Sequence, residues 1–364
     1  MLQKGHDVGL SCGLVGLPSC GKTVIVKAIT AAGASSYDSS EMSKVVINIP
    51  DQRINKLVDM YHPQKTVPAT LDVVDIPGLK KGEGHRLRLL GHIKDVEALL
   101  HVVRCFEDEN VPFEHDGIDP VWDVDTINLE LMTADSNTLL NKVNRLAKKV
   151  RSGDKDVVRE VSACEKVYAA IQEGIPARKL DLNAQELASI RECNLVSLKP
   201  VLYIANIKSM EDAGDNHVTA LRAIAQSEGT EMITICGKDE ADITQFGISE
   251  QQEFLKDLGL KESSVERLLL AAYRLLGLIN FFTVGEDEVR AWTCRKGEKA
   301  PVAAGKIHSD METGFIRMEV MSYEDLMELG SEANVAKAGK QRIEGREYEV
   351  QDGDIVSVRF NRKG

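Results

Sequence analysis

The stretch from Gly16 to Thr23 has the residue types and the spacing of a phosphate-binding loop, in which glycine, four residues and Gly-Lys-Ser/Thr follow one another. Glycines let backbone amides turn toward phosphate oxygens without obstruction by a Cβ. Lys22 would reach the β- and γ-phosphates of a nucleotide as a catalytic residue, and the Thr23 hydroxyl would ligate Mg²⁺. The predicted phosphate-binding residues are Leu17, Pro18, Ser19, Cys20, Gly21, Lys22, Thr23 and Val24.

A second signature follows about fifty residues later, at Asp75-Ile76-Pro77-Gly78. An aspartate at the end of a strand, followed by two residues and a glycine, can hold Mg²⁺ through its carboxylate. The amide of Gly78 can meet the γ-phosphate. Together the two motifs predict a Mg²⁺-dependent phosphohydrolase, with Thr23 and Asp75 as metal ligands.

The base of the nucleotide is expected to contact Asn206 and Ile207 after one strand, and Cys236 and Gly237 after the next. P-loop GTPases carry Asn-Lys-x-Asp at the first of these places, and the aspartate binds guanine. Ser209 stands where that carboxylate would be, so hydrogen bonds worth ~1.5–3 kcal/mol each are missing. The sequence therefore argues against strict GTP specificity, although Glu211 and Asp212 are near enough in sequence to be considered as substitutes.

Residue 79, after the second motif, is leucine, whereas many GTPases place a water-orienting glutamine there. Leucine cannot orient water, so slow intrinsic turnover is expected unless another group takes this role. His85 and His101 are candidates for it. His101 lies in the apolar run from 99 to 103, where a histidine packed in the core is the alternative to a catalytic one.

Apolar strands alternate with helical segments around these motifs, which predicts an α/β fold. Strands are expected at 8–15, 71–76, 99–103, 200–205 and 231–236, and a helix follows the phosphate loop. A further helix, from 264 to 279, begins with a cap formed by Ser263 and Glu266.

Between 126 and 196 apolar residues recur every three, four and seven positions, and Gly153 interrupts the pattern. This pattern predicts an antiparallel helical hairpin or short coiled coil, followed by a helix that begins at Asn183 with Glu186 in a capping box. Basic residues crowd the end of the first helix. They form either a solvated face or a contact to RNA or a partner.

The region from 281 to 364 has short predicted strands and one short helix, from 322 to 329, in an order that suggests a β-grasp, ubiquitin-like fold. We predict four parts in all. Residues 1–125 and 197–280 form the nucleotide-binding domain, 126–196 the helical insert, and 281–364 a binding module.

The composition is that of a soluble globular protein, with 43% hydrophobic and 28% charged residues. No membrane span or export signal is indicated, so a cytoplasmic protein is expected. The net charge of −12 disfavours non-specific binding to duplexes by the whole molecule. Seven cysteines without ligand spacing favour reduced thiols. Cys20, inside the phosphate loop, is either redox-sensitive or simply a small side chain.

These motifs resemble the YchF subfamily of Obg-like GTPases, also called Obg-like ATPases. The resemblance also rests on His101-Val102-Val103-Arg104-Cys105-Phe106, on Val289-Arg290-Ala291-Trp292-Thr293 and on Gly314-Phe315-Ile316-Arg317. It implies a GTPase domain interrupted by a coiled-coil insert, then a C-terminal TGS domain. It also implies Mg²⁺-dependent hydrolysis, ATP often preferred over GTP, and association with ribosomes.

The sequence departs from the family pattern in three places. Ser209 replaces the glutamate of Asn-x-x-Glu, the first switch loop is shortened, and the loop after Gly78 lacks part of its glycine-rich stretch. Three functions stay open: an ATPase/GTPase switch associated with the ribosome, a strict GTPase switch, and a ribosome- or RNA-binding scaffold with a degenerate nucleotide site.

Overall fold

The computed structural model describes residues 10–32, 34–38, 44–77, 90–112, 117–151, 153–243 and 262–361. The chain divides into two compact units. The first comprises Met1–Val46 and Asp72–Ala271, and the second comprises Ile47–Leu71 and Ala272–Gly364. Residues 47–71 therefore group with the C-terminal part of the chain, although they lie between two strands of the first sheet in sequence.

The first unit is organised around a seven-stranded sheet. In chain order its strands are β1 (Ser11–Val15), β2 (Ala34–Asp38), β3 (Lys44–Asn48), β5 (Thr70–Asp75), β6 (Ala98–Arg104), β7 (Val201–Asn206) and β8 (Met232–Ile235). The spatial order is β2-β3-β5-β1-β6-β7-β8. The pairs that link β5, β1, β6, β7 and β8 are all parallel. Their carboxyl ends therefore meet at one edge of the sheet, where α/β proteins bind ligands.

Helices cover this sheet or extend from it. They are α1 (Lys22–Ala31), α3 (Pro120–Val150), α4 (Lys155–Gln172), α5 (Ala184–Ile190), α6 (Asn216–Ser227), α7 (Gly237–Ile243) and α8 (Ser264–Leu275), and residues 90–95 are helical as well. Short 3₁₀ helices span Ala177–Lys179, Arg191–Cys193 and Met210–Gly214.

The predicted helical hairpin is confirmed as α3 and α4. Helix α3 begins at Pro120, six residues before the predicted start of the insert, and Asp119 caps it. The predicted capping box at the start of α5 is also present, since Asn183 and Glu186 exchange side-chain and backbone hydrogen bonds. An apolar core from α3, α4 and the segment 177–195 holds the insert together.

A buried ion pair lies where the insert meets the sheet. The Arg178 guanidinium donates to the Glu228 carboxylate at 3.1 Å and to the Asn128 amide oxygen at 2.8 Å. The Tyr203 hydroxyl also donates to Glu228, at 3.1 Å. Burial opposes ionisation of Glu228, but Arg178 and Lys179 outweigh it and hold the pKa of Glu228 below its ordinary value. The insert is thus fastened to β7 and to the C-terminal end of α6 through a charged network.

The second unit contains a six-stranded sheet and small helices. The strands are β4 (Lys65–Val67), β9 (Leu278–Thr283), β10 (Glu288–Arg295), β11 (Phe315–Ser322), β12 (Arg342–Glu344) and β13 (Asp354–Phe360). The helices are α2 (Gln52–Tyr61), α9 (Ala300–Ile307), α10 (Ser309–Thr313), α11 (Tyr323–Leu329) and α12 (Glu332–Lys337).

The strand order β12-β11-β13-β9-β10-β4 places a parallel pair, β13 and β9, between two antiparallel pairs. This arrangement is that of a β-grasp sheet with β4 added at one edge, so the predicted fold class is confirmed. Strand β4 pairs in parallel with β10, and Lys65 lies opposite Glu288. Arg53, just inside α2, donates to both carboxylate oxygens of Asp352.

Two predictions of local structure were wrong. The helix expected to run to residue 279 ends at Leu275, because Gly277 adopts a left-handed conformation with φ of 64° and β9 starts at Leu278. The C-terminal region was expected to hold one helix, from 322 to 329, but α9, α10 and α12 are present as well. Within the described residues, no helix combines the length and apolar character that a membrane crossing requires.

Candidate functional site

The phosphate loop connects β1 to α1 with the geometry that its motif predicts. A Cβ on Gly16 would lie 2.5 Å from the Val102 carbonyl oxygen, so only glycine fits there. Gly21 has a φ of 93° and immediately precedes α1. The Lys22 ammonium donates to the Gly16 carbonyl at 3.0 Å. The lysine is therefore folded over the loop whose amides would receive phosphate.

An open cleft of about 360 Å³ lies over this loop. Its walls come from two segments, the phosphate loop with the start of α1, and the chain after β6. The lining residues are Leu17, Pro18, Ser19, Gly21, Lys22, Thr23, Val24, Phe106 and Val111. Seven of the eight residues predicted to bind phosphate thus share one cleft.

The eighth, Cys20, is buried beneath the loop. Burial raises the pKa of its thiol to about 11, and Lys22 only partly opposes this shift. A thiol with so high a pKa is almost wholly protonated at pH 7, and the thiolate is the reactive form. The structure therefore favours the interpretation of Cys20 as a small packed side chain.

Asp75 ends β5, beside the phosphate loop in the sheet, where it pairs with Leu14 of β1. One of its carboxylate oxygens, Oδ1, is buried without a hydrogen-bond partner. Burial raises the pKa of Asp75, and the charge of Lys22 counteracts this effect. An unpartnered carboxylate oxygen together with the exposed Thr23 hydroxyl forms a hard-oxygen donor set that suits Mg²⁺. Among the described residues, no cluster of three or more His, Cys, Asp or Glu side chains could hold a metal ion.

Asn206, at the end of β7, connects the phosphate loop to the loop after β8. Its Nδ2 donates to the Cys20 carbonyl at 2.9 Å, and its Oδ1 accepts from the Gly237 amide at 3.3 Å. The side chain is 5% exposed. Both polar atoms of the Asn206 side chain therefore bind backbone groups and brace the two loops against each other. The predicted contact of Asn206 with the base of a nucleotide remains a prediction.

The other predicted base-side residues lie next to this brace. Ile207 and Cys236 are buried, and the Cys236 thiol donates to the Lys208 carbonyl at 3.0 Å. Gly237 begins α7.

Ser209 does not project as a free side chain, because it caps the short helix that follows it. Its Oγ accepts from the Glu211 amide at 3.3 Å, and its own amide donates to the Asp212 carboxylate at 3.0 Å. Asp212, considered as a substitute for the missing guanine ligand, is thus held in a capping box.

No sequence motif predicts Phe106, Val111 or Arg104 as site residues, although Phe106 and Val111 line the cleft. The Arg104 guanidinium donates to four backbone carbonyl oxygens, those of Phe106, Asp108, Val111 and Pro112, at 3.1, 3.5, 3.2 and 2.8 Å. It also lies 4.8 Å from the centroid of the Phe106 ring. One buried arginine therefore holds the backbone of the cleft wall from residue 106 to residue 112, and the signal that the sequence offered is an arginine at a strand end with an aromatic residue two positions later.

His101 lies in the middle of β6, between Val15 of β1 and Tyr203 of β7. Its ring is 5.6 Å from the Tyr203 ring, and its Nε2 is buried without a partner. Burial, reinforced by Arg178, lowers the pKa of His101 to about 3, so the imidazole is neutral at pH 7. This burial argues for a packed core residue, and a catalytic role for His101 stays an untested prediction. Gly78, Leu79 and His85 lie outside the described residues.

Comparison with known proteins gives the same picture. The model of a family described as "50S ribosome-binding GTPase" matches residues 11–150, and a YchF GTPase C-terminal model, described as a protein of unknown function, matches residues 278–361. The chain is 42% identical to the ribosome-binding ATPase YchF of Bacillus subtilis and 40% identical to that of Escherichia coli O157:H7. Each alignment covers 97% of this chain and all of the relative.

A solved structure agrees as well. The YchF GTPase of Schizosaccharomyces pombe superposes with a TM-score of 0.87 at 32% identity, over 99% of this chain and all of that one. The family is established by sequence identity above 30% over the full length of these relatives. The phosphate loop, the aspartate at the end of β5 and the β-grasp sheet are all present as well. The chain belongs to the YchF family of P-loop nucleotide hydrolases.

Proposed function

We propose that this protein is a P-loop hydrolase that converts ATP, and also GTP, to the nucleoside diphosphate and phosphate, and that it works as a ribosome-associated switch in the cytoplasm. The observation that carries the proposal is the Lys22 ammonium, held 3.0 Å from the Gly16 carbonyl at the floor of an open cleft. Lysine at this place serves triphosphates in P-loop proteins. The relatives' names, ribosome-binding ATPases, support the same activity.

Each residue of the cleft has a proposed role in binding the nucleotide or the metal ion. Lys22 and the loop amides bind the phosphates, helped by the positive end of α1. Thr23 and Asp75 would hold Mg²⁺, which supplies Lewis-acid stabilisation of charge on the phosphate oxygens when bound. Gly78 would donate its amide to the γ-phosphate. Ile207, Cys236 and Gly237 would border the base, and Asn206 keeps the two loops at a fixed spacing.

Slow turnover is part of the proposal. Leu79 takes the place of the glutamine that orients water in many GTPases, and His101 is buried and neutral. Nucleotide exchange or a partner would then set the rate of the switch. The domain division at 125/126, 196/197 and 280/281 assigns nucleotide binding to the first and third parts, apart from residues 47–71, which group with the C-terminal unit, and partner binding to the other two.

Ribosome binding would use local positive charge, because the whole chain is acidic. Arg145, Lys148 and Arg151 are exposed near the end of α3 that is remote from the cap at Asp119. Contacts of such residues with RNA phosphates release counterions and weaken with salt. A contact of the insert, or of the β-grasp domain, with ribosomal RNA is therefore proposed.

The test of nucleotide function is a competition of ATP and GTP against a fluorescent nucleotide, with and without Mg²⁺. We expect ATP to compete at least as well as GTP, and Lys22→Ala to abolish competition. A large preference for GTP would instead identify a strict GTPase, with Glu211 as the candidate ligand for guanine. If neither ATP nor GTP binds, the alternative function, a ribosome- or RNA-binding scaffold with a degenerate nucleotide site, is supported instead.

Co-sedimentation with ribosomes separates the remaining alternatives. A switch predicts that sedimentation of the wild type responds to the bound nucleotide and that Lys22→Ala loses this response. If the sedimentation of Lys22→Ala equals that of the wild type with every nucleotide, the scaffold function holds and the switch does not.

A further inference from the structure

The long helix α3 carries a stripe of uncharged residues on its outer side. These residues follow one another at alternating intervals of four and three positions. Such intervals align side chains along one helix face, as in the seam of a coiled coil. We call this set the α3 stripe, and its members are Trp122, Thr126, Leu129, Thr133, Ser136 and Leu140.

The three large apolar side chains of the α3 stripe are open to solvent. Trp122 is 40% exposed, Leu129 60% and Leu140 39%. The residues that α3 buries lie on its other sides, since Ile127 belongs to the core of the sheet and Leu139 to the core shared with α4. Single exposed apolar residues are normal on a protein surface, but a periodic row of them on one helix face indicates an interaction site.

The polar atoms of the stripe do not oppose its burial. The Thr133 hydroxyl donates to the Leu129 carbonyl oxygen, one turn earlier in the helix, at 2.7 Å. A hydroxyl that already has a partner can be covered without leaving a buried polar group unpaired. The stripe can therefore pack against an apolar surface along its whole length.

The charges beside the stripe change sign along α3. Asp125 and Glu130 accompany its first half, whereas Arg145, Lys148 and Arg151 follow its last residue. Two copies of α3 in antiparallel orientation would therefore bring the acidic part of each helix beside the basic part of the other. A parallel orientation would bring like charges together.

RNA fits this surface less well than a helix does. The stripe itself contains no basic residue, and Trp122 is its one aromatic residue. RNA is bound through basic side chains that contact phosphates and through aromatic rings that stack on bases.

We propose that the α3 stripe is a self-association surface, at which a second copy of this chain binds with its own α3 in antiparallel orientation. A two-fold axis between Ser136 and Asn137 makes the stripe complementary to itself. Thr133 and Leu140 lie at equal distances in sequence from this axis, so each would meet the other across the interface. The same patch is used by both copies, as a closed dimer with two-fold symmetry requires.

The ends of the helix match in the same orientation. Trp122 and Arg151 also lie at equal distances in sequence from the axis. The dimer would thus place an arginine guanidinium of one copy against the indole ring of the other, which is a favourable cation–π contact. Because Arg151 is also a proposed RNA contact, the dimer would compete with binding to the ribosome, but self-association itself does not depend on that function.

The size of the stripe predicts a weak dimer. From Trp122 to Leu140 the helix rises ~27 Å, and a helix is ~10 Å wide. Each copy would then bury on the order of 300–500 Å², which is less than the ~800 Å² per partner of a standard interface. We therefore expect a monomer–dimer equilibrium with a Kd of ~10–100 μM.

The test is sedimentation velocity of the full-length protein between ~1 and ~500 μM, a range that brackets the expected Kd. The sedimentation coefficient should rise with concentration from that of a monomer to that of a dimer. Leu129→Lys and Leu140→Lys each place a charge in the interface and should raise the Kd at least ~10-fold. Leu187→Lys is the matched control, because Leu187 is a leucine of α5 that is 40% exposed and lies outside the stripe. Its Kd should stay within about twofold of the wild type, and thermal unfolding should show that all three variants are folded.

The orientation is tested with single cysteines and diamide as the oxidant. All seven native cysteines are buried, so a new thiol on the stripe is the accessible one. Ser136→Cys should give a disulfide-linked dimer, because the two copies of residue 136 lie next to the axis. Thr126→Cys should not, because its two copies would be ~30 Å apart along the helices.

Three results would each overturn the proposal. The first is a protein that stays monomeric at ~500 μM, well above the expected Kd. The second is a Leu129→Lys variant that dimerises as tightly as Leu187→Lys does, and the third is cross-linking of Thr126→Cys as readily as of Ser136→Cys. If the protein is monomeric and Leu129→Lys loses co-sedimentation with ribosomes, self-association is wrong and the stripe binds a ribosomal component.

Discussion

Replacement of Asn206 by alanine tests the brace between the two loops of the nucleotide cleft. The change removes a donor to the Cys20 carbonyl at 2.9 Å and an acceptor for the Gly237 amide at 3.3 Å. Both backbone groups would be left unpaired in a site where the side chain is 5% exposed. An unpaired buried polar group costs ~1–3 kcal/mol, so the two groups together should lower the free energy of unfolding by about 2–6 kcal/mol.

Nucleotide affinity should fall as well, because the phosphate loop would have to be ordered at the moment of binding. If the bond to Cys20 accounts for ~1–2 kcal/mol of that ordering, the Kd for ATP rises roughly 5- to 30-fold. Equilibrium titration with a fluorescent nucleotide measures this change, and urea unfolding measures the stability.

Asn128→Ala is the matched control. Asn128 is also a buried asparagine of the first unit, at 6% exposed, but its amide oxygen accepts from Arg178 in the insert. It should lower the free energy of unfolding by ~1.5–3 kcal/mol and leave the Kd within about twofold of the wild type. The reasoning about the brace fails if Asn206→Ala is destabilised to the same extent but binds ATP as tightly as Asn128→Ala does.

Three further changes probe the same unit. Gly21→Ala should weaken nucleotide binding at least as much as Asn206→Ala, because φ at this position is 93° and the added Cβ would lie 2.1 Å from the Asn206 Nδ2. The control is Gly229→Ala, where φ is 64° and no atom lies within 4 Å of the added Cβ. Equal nucleotide affinities of Gly21→Ala and Gly229→Ala would contradict the prediction. Arg104→Met should raise the Kd for ATP roughly 5- to 10-fold in the same titration, because displacement of the wall that contains Phe106 should cost ~1–1.4 kcal/mol of binding free energy. Arg159→Met, which replaces an exposed arginine, should leave this Kd unchanged. Glu228 has a lowered pKa in the folded state, so its stabilising effect is present above its ordinary pKa of ~4.3 and is lost as the pH falls through the folded value. Glu228→Gln should therefore reduce stability at pH 7 and flatten its decline below about pH 4.5 in urea unfolding, and an unchanged acid limb would show that another group causes the decline.

The parts of the fold that could be predicted are those in which local chemistry determines local structure. The phosphate loop needs glycines at fixed places and a helix after them, and the structure has both. The capping box at Asn183 likewise concerns residues three apart, and it is present. Apolar repeats of three and four positions sufficed to identify α3 and α4, because both helices bury one face against a shared core.

Predictions from local pattern failed where one pattern suits two structures. The apolar run after Leu275 is compatible with a helix or a strand, and the left-handed turn at Gly277 decides between them. Helix α9 was missed because its sequence, Ala-Pro-Val-Ala-Ala-Gly-Lys-Ile, contains an internal glycine that lowers helix propensity. Its apolar face is buried all the same, with Ala300, Ala303 and Ala304 in the core of the second unit.

The site was predictable to the extent that a motif fixes it. Spacing predicted that Lys22 and Thr23 lie at the phosphate loop and that Asp75 ends the neighbouring strand, and the structure has them there, while their roles stay predictions; the wall containing Phe106 and Val111 was not predicted. That wall depends on one arginine bonded to four backbone carbonyls, and carbonyl groups have no signature in a sequence. The two hydrogen bonds of Asn206 also join residues that are far apart in sequence.

The assignment of residues 47–71 to the second unit has a consequence for synthesis of the chain. Strand β4 pairs with β10 through Lys65 and Glu288, which are 223 residues apart (288 − 65). At a translation rate of ~5–20 residues per second, the segment emerges roughly 10–45 seconds before its partner strand exists. Until then Ile54 and Leu57 of α2, which are buried in the folded protein, lack the residues that they finally pack against. The nascent chain therefore carries an unfinished amphipathic helix through most of its own translation, and that interval is when a chaperone would have the most to protect.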